Sequence, residues 1–102
     1  MITVTPSAAE QIIESAKQGG MLGIPLRIAA TKLPDGNLHY ALGFDDQSHE
    51  GDNTYKSEGI DIVVAPQSLP LLSGTVIDYV EIEGKKEIIF INPNDPAQKN
   101  PA

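Results

Sequence analysis

The side chains best suited to chemistry in this sequence are two histidines and the carboxylates near them. His39 stands in an alternating segment, and His49 stands in an acidic stretch over residues 45–52. Two histidines and one carboxylate can hold Fe(II) or Zn(II) if the fold brings them together. We therefore treat His39 and Asp35 as a candidate metal site. The alternative for His39 is an ordinary strand side chain, at the surface or at a subunit contact.

The acidic residues each have a simpler explanation as well. Asp35 is followed by Gly36, and an Asp-Gly pair commonly makes a tight turn. The stretch over residues 45–52 lacks the ligand spacing of a calcium-binding loop. Asp45 and Asp46 are adjacent, so on a strand their side chains would point to opposite faces. We expect this stretch to be a solvated connection.

No set of residues in the sequence indicates catalysis. The sequence contains no cysteine, which removes thiolate nucleophiles, disulfides and the usual ligands of iron–sulfur clusters. It has no Gly-x-Ser-x-Gly elbow and no glycine-rich phosphate loop. Ser68 and Ser73 flank a short predicted helix, and we interpret them as its capping residues. We expect that the protein is not an enzyme.

Charge and hydropathy exclude several classes of partner. The chain has 102 residues, 14 acidic and 7 basic side chains and a formal net charge of −7. Nucleic acids and anionic membrane surfaces attract the opposite sign of charge. The sequence has no apolar run long enough to span a membrane, and its first residues lack the features of a signal peptide. We expect one domain, a cytoplasmic location, and neither a nucleic-acid nor a membrane partner.

The residue pattern predicts a mainly β or α+β domain. Thr5-Pro6 is typical of a helix start and Gly19-Gly20 of a helix end. The turn Asp35-Gly36-Asn37 joins two alternating segments into a hairpin. A short helix and a second hairpin follow further along the chain. The predicted strands cover residues 2–4, 26–30, 38–44, 54–56, 60–64, 75–82 and 87–91, and the short helix covers residues 66–72.

The end of the chain differs in composition from the rest. Residues 92–102 contain three prolines and no large apolar side chain. Such a segment buries too little apolar surface to order itself. We therefore divide the chain into a domain of residues 1–94 and a flexible tail of residues 95–102.

Three stretches share an order and spacing that point to a family. They are residues 38–46, residues 59–80 with Leu72-Ser73-Gly74-Thr75-Val76-Ile77-Asp78-Tyr79-Val80, and Phe90-Ile91-Asn92-Pro93-Asn94. Together they resemble the A-type iron–sulfur carrier family, also called the HesB/IscA-like domain, from about Ile2 to Asn94. The resemblance implies two small mixed β-sheets with an N-terminal helix and one short helix. It also implies a cytosolic protein that assembles as a dimer or tetramer.

The resemblance further implies a cargo and a set of ligands. Members of the family accept iron or an iron–sulfur cluster through three cysteines and hand it to apoproteins. One cysteine stands in the first hairpin and two stand near the C-terminus; here the three positions hold Asp35, Lys99 and Pro101. A lysine is a cation and a proline has no donor side chain. We therefore expect no bound cluster and no other cofactor.

Two hypotheses from different classes follow. The first is a degenerate A-type carrier homologue, a non-catalytic accessory or regulatory binding module linked to iron–sulfur cluster assembly. Its partners would be a second copy of the chain or iron–sulfur assembly proteins, and it would not bind a cluster itself. The alternative is a metal-binding protein that uses His39 and carboxylates in place of cysteines, because His39 lies at the hairpin where the family keeps a ligand.

Overall fold

The chain forms two helices and seven strands within the part that the structure describes. The structure is a computed structural model, and it describes residues 2–47 and 49–98. The elements are β1 Thr3–Val4, α1 Pro6–Gly19, β2 Leu26–Lys32, β3 Leu38–Phe44, β4 Asn53–Ser57, β5 Ile60–Val64, α2 Leu69–Leu72, β6 Val76–Ile82, β7 Lys85–Ile91 and a 3₁₀ turn Pro96–Gln98.

Helix α1 begins and ends where the sequence predicts. The Thr5 hydroxyl accepts a hydrogen bond from the Ala8 backbone N–H at 3.2 Å, and Pro6 occupies the first helical turn. Gly20 closes the helix in the left-handed conformation, with φ 69°, which glycine adopts at little cost. Over residues 2–47 and 49–98, no helix is long and apolar enough to cross a membrane.

The strands form two mixed sheets. The larger sheet has the strand order β3-β2-β5-β4, and the smaller sheet has the order β1-β6-β7. Strands β2 and β5 pair in parallel, as do β1 and β6, while the other neighbours are antiparallel. This architecture confirms the predicted α+β fold with two small mixed sheets, an N-terminal helix and one short helix.

Two tight hairpins follow from Glu-Gly pairs. Glu58-Gly59 joins β4 to β5, and Glu83-Gly84 joins β6 to β7. All four residues have positive φ, at 51° for each glutamate and about 80° for each glycine. Two-residue turns with positive φ at both positions match the twist of the flanking strands. The second predicted hairpin is confirmed, and its strand β7 begins at Lys85, earlier than residue 87.

The core lies between the inner faces of the sheets and the apolar stripe of α1. Alternate residues of β2 and β5 are buried in it. Of the residues between them in β5, Asp61 is exposed and Val63 is also buried. Each fully buried large aliphatic side chain contributes about 1.5–3 kcal/mol through removal of apolar surface from water. The cluster of buried residues is Ile2, Val4, Ala8, Ala9, Ile12, Leu26, Ile28, Ala30, Ile60, Ile62, Val64, Leu72 and Ile77.

The segment before α2 differs from the prediction. The predicted helix over residues 66–72 is shorter, because residues 66–68 form a turn and the helix begins at Leu69. Ser68 makes no side-chain capping bond. Its buried hydroxyl instead accepts from the Ala30 backbone N–H and donates to the Ala30 carbonyl, each at 3.3 Å. Ser68 and Ser73 stand at the N-cap and C-cap positions of the helix, as predicted, but the Ser68 hydroxyl joins this segment to β2 instead of capping the helix.

Candidate functional site

The first hairpin holds the position at which the resemblance places a ligand. Strands β2 and β3 pair along their full length and leave residues 33–37 as the connecting loop. The Leu33 N–H donates to the Asn37 carbonyl at 2.8 Å, and the Gly36 N–H donates to the Leu33 carbonyl at 2.9 Å. Gly36 has φ 89°, a conformation that favours glycine. The backbone itself therefore closes the loop.

The Asp35 carboxylate is used within this loop. Its Oδ1 accepts from the Asn37 backbone N–H at 2.9 Å, and its Oδ2 accepts from Asn37 Nδ2 at 3.3 Å. A carboxylate that bonds the backbone two residues ahead makes an Asx turn. Asp35 thus stabilises the hairpin with both of its oxygens.

His39 lies on the outer face of the larger sheet. It is exposed and pairs across the ladder with Thr31, and Ala41 and Gly43 follow it on the same face of β3. Within the described ranges, no three His, Cys, Asp or Glu side chains come together as a metal site. The His39–Asp35 metal site therefore remains a prediction from the sequence.

The acidic loop after β3 is held by one arginine. Arg27 Nε donates to Asp45 Oδ2 at 2.6 Å, and its two terminal nitrogens donate to the two oxygens of Asp52 at 3.1 and 2.7 Å. Arg27 Nη2 also donates to the Gln47 carbonyl at 3.4 Å. A planar guanidinium that binds a carboxylate through two parallel bonds fixes both partners in orientation.

This arrangement keeps both carboxylates ionised. Hydrogen bonds from Arg27 and from the His49 backbone lower the pKa of Asp52 to about 2. The Gln47 backbone N–H and then Arg27 lower the pKa of Asp45. Residues 46, 47 and 49–51 are exposed, as expected of a solvated connection. The Asp52 side chain is the exception, because it is only 7% exposed. The missed signal was Arg27, a lone charge within the apolar segment of residues 26–30.

The Asn-Pro-Asn motif ties the end of β7 to the segment around α2. Asn92 Nδ2 donates to the Leu71 carbonyl at 2.8 Å, and Asn94 Nδ2 donates to the Ser73 carbonyl at 2.7 Å. Helix ends leave carbonyls without partners, and these amides supply donors to them. The Asn-Pro-Asn motif therefore has a structural role, which is to bond the carbonyls at the end of α2.

The chain continues past this motif into residues that sequence reasoning placed in a tail. Packed contacts extend beyond Asn94: Asp95 is buried, and a 3₁₀ turn covers Pro96–Gln98. Lys99 and Pro101, the other two predicted ligand positions, lie outside the described residues. The division into residues 1–94 and a flexible tail of residues 95–102 remains a prediction.

Comparison with known proteins identifies the family. Residues 1–100 match the family model described as iron-sulphur cluster biosynthesis. The chain belongs to this family. The iron-sulfur cluster insertion protein ErpA of Citrobacter koseri is 34% identical over 91 residues, which cover 88% of this chain and 79% of that protein. ErpA 2 of Methylococcus capsulatus is 31% identical over 93 residues, covering 91% of this chain and 72% of that protein.

Solved structures of this iron-sulphur cluster biosynthesis family share the fold. SufA of Escherichia coli, which is involved in biosynthesis of iron-sulfur clusters, matches with a TM-score of 0.76 at 27% identity. That match covers 97% of this chain and 86% of SufA. IscA with its [2Fe-2S] cluster matches with a TM-score of 0.74 at 28% identity, covering 92% of this chain and 84% of IscA. The resemblance found in the sequence is confirmed.

The donor atoms of this family member do not fit an iron–sulfur cluster as cargo. Such clusters are held by thiolates, with histidine as the occasional replacement, and the sequence has no cysteine. At the hairpin position, the oxygens of Asp35 already bond Asn37. His39 lies in no group of three potential ligands among the residues that the structure describes.

Proposed function

We propose that this chain is an A-type carrier homologue that keeps the carrier fold and does not carry a cluster. Its role would be that of a non-catalytic accessory or regulatory binding module linked to iron–sulfur cluster assembly. Membership of the family and the match to SufA and IscA over most of the chain support the link to this process. The absence of cysteine supports the loss of cargo binding.

The Asx turn at Asp35 carries this proposal. In the family this hairpin position would present a cysteine, whereas here both carboxylate oxygens of Asp35 accept hydrogen bonds from Asn37. The hairpin is therefore stabilised locally, without help from a bound metal. A fold that is stable without bound cargo is consistent with a protein whose function is to bind other proteins.

The partners and location belong to the same proposal. A second copy of the chain and cysteine-bearing iron–sulfur assembly proteins are the partners we favour, in the cytoplasm. The formal net charge of −7 disfavours nucleic acid as a partner, because binding would bring like charges together. A protein partner with a basic surface would be favoured for the converse reason.

A cluster-transfer assay tests the accessory role. SufA loaded with a [2Fe-2S] cluster would be mixed with an apoprotein acceptor, with or without this chain in excess. We expect the chain to change the transfer rate, followed by circular dichroism of the cluster, and to bind SufA in sedimentation velocity. An unrelated protein of similar size and net charge serves as the control. Unchanged transfer together with no binding would reject the accessory role.

The metal-binding alternative has a separate test. Calorimetric titration with Fe(II) or Zn(II) should show saturable binding if His39 and carboxylates form a site. His39→Ala should then abolish the binding, while His49→Ala tests the second histidine. Binding that survives the His39→Ala change would remove His39 from the site.

A further inference from the structure

Two polar residues of the segment after β7 are buried, while their neighbours at positions 93, 94, 96 and 97 are exposed. Asn92 and Asp95 are 2% and 3% exposed, although residues 92–98 contain no large apolar side chain. A buried carboxylate is costly unless hydrogen bonds compensate for its lost water. Beyond the bonds of Asn92 and Asn94 to the segment around α2, the partners of Asp95 therefore help to hold this segment on the domain.

Tyr40 reaches Asp95 from a distant part of the chain. The Tyr40 hydroxyl donates to Asp95 Oδ2 at 2.7 Å and accepts from Asn92 Nδ2 at 3.1 Å. The other carboxylate oxygen, Asp95 Oδ1, accepts from the Ala97 backbone N–H at 3.0 Å. One carboxylate thus joins the C-terminal 3₁₀ turn to a strand of the first hairpin.

The Tyr40 ring is itself held in place. It stacks on Phe90 of β7 with ring centroids 4.6 Å apart and an interplanar angle of 8°, a contact that contributes beyond its buried area. Burial, with Asp95 as a further cause, raises the pKa of Tyr40 to about 12. The hydroxyl therefore remains a donor at neutral pH. Tyr40 lies on β3, the strand that follows the Asp35 turn.

We propose that Tyr40 and Asp95 form a latch that fixes the C-terminal segment onto the first hairpin. Both are positioning residues: they set where the chain leaves the domain, beside the strand that carries the Asp35 turn. The latch goes beyond the proposed function and does not depend on it, because it concerns the position of the segment and not the cargo.

The cysteine-free sequence allows a direct distance measurement. Leu33→Cys on the hairpin loop and Ala97→Cys on the 3₁₀ turn would be the only thiols, and both positions are exposed. Spin labels on this pair should give a narrow distance distribution by pulsed electron resonance. In this double-cysteine variant, the further change Tyr40→Phe removes the hydroxyl but keeps the ring stack on Phe90. It should broaden the distribution of distances between the two spin labels.

Tyr79→Phe is the matched control and should leave the distribution narrow. Hydrogen exchange gives an independent measure in the unlabelled chain. The Ala97 amide should exchange at least about tenfold faster in Tyr40→Phe, because Asp95, the acceptor of the Ala97 N–H, is then no longer held in place by Tyr40. If Tyr40→Phe lost its native circular dichroism, Asp95→Ala would replace it in the distance measurement alone, because it removes the acceptor of the Ala97 N–H directly. A distribution and an exchange rate that stay unchanged in these variants would overturn the latch.

Discussion

Arg27 shows, at the scale of a residue, how one charge organises a loop. It projects from β2 and binds Asp45 and Asp52, which lie at the two ends of the acidic loop. Because its side chain is 19% exposed, water screens these bonds less than it would at an open surface. Residue type alone could not have predicted the pairing, since Arg27 and Asp52 are far apart in sequence.

The Arg27 cluster predicts a pH dependence of stability. The pKa of Asp52 is about 2 in the folded protein against an ordinary 3.8, so the fold binds this proton less readily than the unfolded chain does. Its stabilisation is complete above about pH 4 and is lost as the pH falls towards 2. In Arg27→Met, the free energy of unfolding should be lower at pH 7 and should fall less steeply between pH 4 and pH 2.

Urea denaturation across this pH range measures the effect. Lys56→Met is the control, because Lys56 and Asp61 form an exposed pair at 3.5 Å, with side chains 69% and 55% exposed. Such a pair contributes little, so this variant should keep the pH dependence of the parent. Parallel curves for Arg27→Met and the parent protein would show that Arg27 does not lower these pKa values.

Ser68 gives a second prediction at this scale. Its buried hydroxyl bonds both backbone groups of Ala30, so Ser68→Ala should lower the free energy of unfolding by about 1 kcal/mol. Ser73→Ala, at an exposed position just after α2, should change it by less than about 0.5 kcal/mol. Equal stabilities of the two variants in chemical denaturation would contradict the role given to Ser68.

At the scale of elements, the start of α1 is tied to the smaller sheet. The Thr5 hydroxyl accepts from the Ala8 N–H and donates to Asp78 Oδ1 on β6 at 2.7 Å. The Thr5 backbone N–H also donates to the Ile77 carbonyl at 3.0 Å. The N-cap therefore does two things, because it begins the helix and holds it against β6.

Substitution of Thr5 tests this double role. Thr5→Ala should lower the free energy of unfolding by about 1–2 kcal/mol, since it removes the cap and one interelement bond. Thr5→Ser keeps the hydroxyl and should lower it by less than about 0.5 kcal/mol. A double-mutant cycle of Thr5→Ala with Asp78→Ala isolates the bond to β6. A coupling energy of zero would show that the bond adds no stability.

Local sequence signals predicted the helices and strands better than they predicted which strands pair with one another. Thr5-Pro6 and the alternation of residues 38–44 predicted α1 and β3, since capping and strand periodicity act over a few residues. The parallel pairings of β1 with β6 and β2 with β5 join segments that are distant in sequence. No local pattern specifies such partners, and here the family resemblance was what predicted two mixed sheets.

At the scale of the whole molecule, the fold was predictable and the site only partly so. The Asp35 position was predicted because the family resemblance places a ligand in the first hairpin. The latch of Tyr40 with Asp95 was not, because the tail composition indicated too little apolar burial for order. Polar bonds hold Asp95 and the Ala97 N–H, and composition does not report the geometry of hydrogen bonds.

We propose that this family member keeps the fold and does not hold the cargo. Anaerobic reconstitution with ferrous iron and sulfide, followed by desalting, tests it through visible absorption and iron content per chain. The triple variant Asp35→Cys, Lys99→Cys and Pro101→Cys is the matched control and should gain a chromophore, because it restores the thiolates that the resemblance implies. The native chain should show no visible band and no retained iron. A stable, stoichiometric chromophore on the native chain would contradict the proposed loss of cluster binding.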